Sequence, residues 1–345
     1  MAILWLESFD FYGTSISALS LRGYQAVNNA QIISNPAQAR TGSGCLRAFG
    51  STITSVVKLL DNTVSVAGTG AGINFLSASG NNRNMPSIGF GIVGDAYRYQ
   101  VCINASLGLT VYDNGVAIGS TSNNLLVFNT YYWIECKITT SPVTPTGSIE
   151  VRVSGQTVLT INGLVIPLIN SVYVGKSAFT GGNAGEARYD DWVIWDNSGT
   201  VNNDFLGDRR IVTLYPNADT IDADWTPSTG TSGFAMIDEA TPSDSDFITA
   251  NNAGDISEFQ KQVIPLDVNT VAAICPVARA FKDSAGPSTF TIGINSNGNV
   301  INSPQFLPNT TVTYFSQVFE LNPDGNIPWT RTAMDDATIR LTRVV

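Results

Sequence analysis

Along most of the chain, apolar side chains recur at every second position. The runs SIGFGIVGD (87–95), YRYQVCINA (97–105), LGLTVYDNG (107–115), YYWIECKITT (131–140), SIEVRVSGQTVLTING (148–163) and SVYVGKS (171–177) carry this alternation. Successive side chains of a strand point to opposite faces, so each run predicts strand with one face buried. Gly, Asn, Asp or Pro bounds every run, which gives short strands joined by turns, the pattern of an antiparallel sandwich. YDNGVAIG sets Asn114 and Gly115 between alternating apolar positions, a hairpin signal because a type I′ turn needs two positive φ angles. SGQTVLTING gives a second hairpin candidate. No stretch sustains a 3.6-residue period between caps and no heptads occur, so long helices and a coiled-coil stalk are not expected. One short helix is predicted over 255–262.

The last strong strand pattern of the first half, 188–196, runs into a polar break at 197–208, where the acidic and Asn-rich stretch reads as a junction. Residues 1–200 are predicted to form one domain and 201–345 a second, smaller β-sandwich. In the latter, IVTLYP, FAMID, TVAAICPVARAF, TFTIGIN, TVTYFSQVFEL and ATIRLTRVV repeat the strand-turn alternation. The predicted fold class is all-β, with two antiparallel sandwiches.

Composition changes this picture in three places. Charged residues are 13% of the chain, against about 25% in ordinary soluble domains, and few lysines guard strand edges. Covered edges are therefore expected, by loops or by neighbouring subunits of a homo-oligomer, a trimer or larger. The net charge is −10, of which residues 201–345, with 8 basic and 17 acidic side chains, supply −9. Such a chain repels phosphate backbones and has no basic stripe, which argues against nucleic acid as a partner. Cys45, Cys102, Cys136 and Cys275 follow no CxxC spacing and mostly sit in apolar strand patterns, as small buried hydrophobes do. MAILWLESFDFYG lacks a basic leader region, and no 18 consecutive apolar residues occur, so cytoplasmic synthesis without membrane insertion is expected.

The chain contains no histidine. Ser-His-Asp and Cys-His triads and imidazole-bearing zinc sites are excluded with it. Paired carboxylates for glycoside hydrolysis find little support: Glu135 and Glu150 lack an acidic partner at i±2 on their strands, and Asp190 and Asp191, as strand neighbours, should face opposite ways. The expectation is a protein with no catalytic residues, no enzymatic activity and no cofactor. Asp219, Asp222 and Asp224 in DTIDADWTPSTG offer a calcium-binding alternative, but without the EF-hand glycine and closing glutamate; Asx-turns that cap backbone N–H groups are the other reading. In YYWIECKITT the polar phase carries Tyr131 and Trp133 beside Glu135 and Lys137, a glycan-stacking platform or a packing surface; Tyr112 has the same two readings.

Taken in order, ESFDFYG (7–13), RTGSGCLRAFG (40–50), YYWIECKITT, GSIEVRVSGQTVLTING and ARYDDWVIWD (187–196) resemble the concanavalin A-like lectin/glucanase jelly roll, in the laminin-G-like form of tailed-bacteriophage virion proteins. The stretch from Asn202 to Ile248, AFKDSAG (280–286) and the terminal NPDGNIPWTRTAMDDATIRLTRVV resemble the second module of such proteins. The resemblance implies a jelly-roll first domain and a structural component of the virion, tail- or capsid-associated and assembled in the host bacterial cytoplasm. It further implies other virion proteins as partners and a role in attachment to host-surface glycan. A receptor-binding lectin at the tail tip and a decoration protein on the head lattice are its alternatives. The ExDxE strand of the glucanase branch is missing, so that branch's hydrolysis does not carry over.

Overall fold

The computed structural model describes residues 2–50, 53–78, 85–104, 106–176, 185–284 and 286–345; Ser177, at the end of one predicted strand, and Ala285, in AFKDSAG, lie outside them. The chain forms two compact units, Met1–Ile211 and Val212–Val345. Both are antiparallel β structures, as the alternation predicts.

In the first unit the strands are β1 (Ile3–Glu7), β2 (Ala26–Asn28), β3 (Gln31–Ser34), β4 (Gly44–Gly50) and β5 (Thr54–Val64). They continue as β6 (Val66–Ala78), β7 (Met85–Ile92), β8 (Asp95–Ile103), β9 (Leu109–Asp113) and β10 (Val116–Ser120). The last are β11 (Tyr131–Thr139), β12 (Gly147–Val153), β13 (Gln156–Leu164), β14 (Ile169–Lys176) and β15 (Gly185–Asp196). One sheet runs β13-β12-β11-β6-β15-β4-β3, with β1 also paired to β15; the other runs β10-β9-β8-β7-β14-β5-β2. Asn114 and Gly115 turn β9 into β10 with φ of 47° and 80°, the two positive angles that a type I′ turn needs. Ser154 and Gly155, at 47° and 82°, do the same between β12 and β13.

Between the sheets, Ile73, Phe75, Ile134, Cys136, Ile138, Val151 and Tyr189 face Val56, Ile88, Phe90, Val101, Val111, Val172 and Val174, all buried. Three motifs lock together around this core. Asp10 Oδ1 accepts the N–H groups of Ser43 and Gly44 at 2.7 and 2.8 Å. Asp190 Oδ2 accepts those of Arg40 and Thr41 at 2.7 and 3.0 Å. ESFDFYG, RTGSGC and ARYDDWVIWD are thus tied by carboxylates that satisfy backbone donors of an otherwise irregular loop.

In the second unit, strands 216–223, 256–261, 338–343, 290–296 and 299–302 form a five-stranded antiparallel sheet in that order, accompanied by two-stranded pairs. Ile264, Ile274, Ile294, Phe319, Trp329, Met334 and Ala337 make its core, and Trp329 Nε1 donates to the Phe319 carbonyl at 3.1 Å. The helix predicted over 255–262 is instead the strand Ile256–Lys261, hydrogen-bonded on both sides. Two ladders of partners outweigh a weak local helix preference. The short helices are Ile16–Leu21 and Arg331–Asp336, the latter capped by the Thr330 side chain. IVTLYP precedes its strand rather than forming it, and FAMID contains a 3-10 turn, Phe234–Met236.

Candidate functional site

Residues opposite one another on neighbouring strands share a face of the sheet. On the seven-stranded sheet, the face turned away from the core carries Gln100, Tyr112, Tyr173 and Ser171. Gln100 stands opposite Gly89 and Tyr112, Tyr173 opposite Gly89 and Val57, and Ser171 opposite Gly91. The two glycines make room for side chains of the neighbouring strand: a Cβ on Gly89 would lie 2.3 Å from Tyr173 Cζ, and one on Gly91 2.2 Å from Ser171 Oγ, so the Tyr173 ring and the Ser171 hydroxyl lie directly over the backbone. Tyr97 meets the Tyr173 ring edge-on, with centroids 4.9 Å apart. Its hydroxyl accepts from Asn28 Nδ2 at 2.8 Å and pairs with Ser55 Oγ at 2.9 Å. Gln100 Nε2 donates to the Tyr97 carbonyl at 3.0 Å. Toward the sheet edge, Thr110 Oγ1 pairs with Ser120 Oγ at 2.9 Å and accepts from Asn104 Nδ2 at 3.3 Å.

Two groups in this patch are unpaired. Gln100 Oε1 and Ser171 Oγ have no hydrogen-bond partner, although both residues are 1% exposed. A buried polar atom left unmatched costs about 1–3 kcal/mol, so such atoms mark places where a further hydrogen-bonding group fits. Half-buried Tyr112, Tyr97 and Asn28 form the margin of the patch. Its chemistry is amide, hydroxyl and phenol ring, which suits a hydroxyl-rich ligand with apolar faces.

The outward face of the other sheet is closed. On β6, Gly68, Gly70 and Gly72 leave a groove that Trp195, Trp133 and Arg40 fill; a Cβ on Gly68 would lie 2.1 Å from Trp195 Cε2 and one on Gly72 2.3 Å from Arg40 Cδ. Residues 204–211 then lie across the groove as a strap. Phe205 packs under the Arg152 guanidinium at 3.7 Å and near Lys137 at 4.7 Å, with Trp195 edge-on at 6.2 Å. Asp204 pairs with Lys137 at 2.7 Å, and Asp208 with Arg40. Arg40 Nη1 also donates to the Arg209 carbonyl at 2.5 Å and to Asp191 Oδ2 at 2.7 Å, and the Ile211 N–H donates to Asp191 Oδ1 at 2.7 Å. Beneath the strap, Glu135 Oε1 accepts the N–H groups of Leu206 and Gly207 at 2.8 and 3.2 Å, while Oε2 is unpartnered. Burial pushes the Glu135 carboxyl up to about 7 against the pull of those N–H groups.

The predicted site residues therefore separate. Tyr112 lies on the polar face of the seven-stranded sheet, whereas Tyr131 and Trp133 lie on the strapped face of the other. Trp133 is 1% exposed beneath Arg40, 5.3 Å from its ring, so neither ring face is open for stacking. Half-buried Tyr131 donates its hydroxyl to the Gln38 carbonyl at 2.7 Å. Asp190 and Asp191 do not face apart as a regular strand requires: a bulge between Asp190 and Val193, with Asp191 at φ 55°, turns both carboxylates onto the Arg40–Thr41 loop. In the second unit, Asp219 caps the turn at 232–234, accepting from Ser232 Oγ and the N–H groups of Gly233 and Phe234 at 2.7, 2.9 and 2.7 Å. Asp224 accepts from the Ile256 N–H at 3.0 Å, and Asp222 is exposed. Among the described residues, no three His, Cys, Asp or Glu side chains converge as a metal ion would require. The sequence reading missed Gln100 and Ser171; the glycines at two-residue spacing in SIGFGIVG were the available signal.

No family model and no curated protein matches the chain. Among solved structures, it is similar to an endo-β-1,4-glucuronan lyase from the fungus Trichoderma reesei, at 14% identity and TM-score 0.39, covering 56% of this chain and 95% of that one. Alginate lyase Aly36B is similar at 13% identity and TM-score 0.39, covering 55% and 95%. The carbohydrate-binding module CBM66 from Bacillus subtilis matches at 15% identity and TM-score 0.31, covering 51% and 96%. A sialidase also appears, with 14% identity. These are β-sandwich proteins, as is the first unit here. The expectation of no enzymatic activity is corrected by this set: polysaccharide lyases stand among the similar structures, so catalysis is not excluded. A chain without histidine lacks only histidine chemistry, and Tyr, Lys and carboxyl groups can also carry protons.

Proposed function

We propose that the chain is a structural component of a tailed-phage virion, tail- or capsid-associated, whose first unit contributes to attachment to host-surface glycan. The glycan role is carried by one observation, the polar face on which Gln100 Oε1 and Ser171 Oγ remain unpaired beside the rings of Tyr97, Tyr112 and Tyr173. The virion role is supported by the order of motifs along the chain, three of which interlock through Asp10 and Asp190. Association into a homo-oligomer is supported by the edge strand 216–223 of the second unit, which exposes Ile221 at 99%.

Mass spectrometry of purified particles from an infected host is expected to find the protein in many copies; its absence would remove the virion role. Sedimentation of the purified chain is expected to give a trimer or larger, and a monomer at all concentrations would remove the oligomer.

A further inference from the structure

We infer that the polar face of the seven-stranded sheet selects uncharged glycan over glycan bearing carboxylates. The inference rests on the glycan reading and adds the class of ligand. Asn28, Ser55, Gln100, Tyr112, Ser171 and Tyr173, among the described side chains that share this face in register or bond into it, carry no charge at neutral pH. Lys58 and Lys176 belong to the opposite face, in register with Val172 and Thr54. Arg98, the cation at the margin, is held by Asp113 at 2.5 Å, both about a third exposed.

Among the described residues, a carboxylate entering this patch would find no free cation and would lose hydration without a charge-assisted partner. It would also meet Gln100 Oε1, which can only accept a hydrogen bond and therefore repels an anion. A sugar hydroxyl reverses both terms, because it donates to Gln100 Oε1 and exchanges a hydrogen bond with Ser171 Oγ. The half-buried rings of Tyr97 and Tyr112 at the margin match the C–H faces of a pyranose. The net charge of −10 adds a repulsion that a neutral chain does not feel.

The test uses the full chain and titration calorimetry with neutral hexasaccharides (cellohexaose, maltohexaose, laminarihexaose, mannohexaose) and acidic ones (oligoglucuronate, oligoalginate) of equal length. At least one neutral probe is expected to bind, with Kd changing less than about twofold between roughly 20 and 200 mM NaCl. The acidic probes should bind about tenfold or more weakly by comparison. Gln100→Leu should weaken the neutral probe by about tenfold. Tyr112→Ala, at the half-buried margin, provides the same readout should the buried substitution fail to fold. Equal or tighter binding of an acidic probe would overturn the selectivity and leave the glycan reading standing. Binding that neither variant alters would overturn the assignment to this face, and binding of no probe would overturn both inference and glycan reading.

Discussion

Asp191 holds a left-handed backbone, φ 55°, and this single residue decides how two adjacent acids are used. Both carboxylates become buried anchors, Asp190 for the loop at 40–41 and Asp191 for Arg40 and the Ile211 N–H. Removing one partner of a buried pair leaves the other uncompensated, so Asp191→Ala should cost about 3 kcal/mol or more in urea unfolding. The doublet was visible in the sequence, but nothing local marks a left-handed aspartate within an apolar strand. Trp133 teaches the same lesson: alternation put its ring on the outward face, and Arg40, about ninety residues earlier in the chain, covers it there. Glu135 supplies a pH dependence. Its carboxyl protonates more readily in the folded state, so its contribution is whole below its ordinary value of 4.5 and is lost as pH rises through about 7. Asp190, pushed up by burial and by Asp191, acts in the same direction, while Arg152 counteracts the shift of Glu135. Amide exchange at Leu206 and Gly207, corrected for intrinsic rates, is expected to accelerate between about pH 5 and 8, and Glu135→Gln should flatten that response.

At the scale of elements, the strap 204–211 is held by side chains alone, since its residues belong to no strand. Leu206 is buried at its centre, and Leu206→Ala should destabilise the first unit by about 2–3 kcal/mol and open 203–211 to limited proteolysis. Protection unchanged from the parent chain would mean that the polar anchors suffice. The strands of the first unit were legible because period-2 alternation and two positive-φ turns, Asn114–Gly115 and Ser154–Gly155, act locally. The strand 256–261 was not, because its identity comes from partners at 216–223 and 338–343 far along the chain. Of the polar face, only Tyr112 was anticipated. Gln100 and Ser171 sit in the same alternating runs, but which polar phase stays unpaired depends on loops and neighbouring strands that periodicity does not describe.

At the scale of the whole chain, the strap moves the boundary that composition suggested. Residues 197–208 look like a linker because they are polar, yet their donors and aromatic ring complete the first unit, whose compact body runs to Ile211. Cutting at 200 would strip Glu135 of both N–H donors and Arg40 of Asp208 and the Arg209 carbonyl, and would expose Trp195. Cutting at 211 keeps all of these contacts. A fragment of residues 1–211 is therefore expected to unfold cooperatively, with dispersed methyl resonances, whereas 1–200 should be less stable by about 3–5 kcal/mol or fail to fold. The difference should shrink when Glu135 is replaced by leucine, because the shorter fragment then no longer leaves that carboxyl without its N–H donors, whereas Arg40 keeps Asp191 in both fragments. If the two fragments unfold at the same denaturant concentration, the strap is a passive linker and the polar break marks the true edge of the unit.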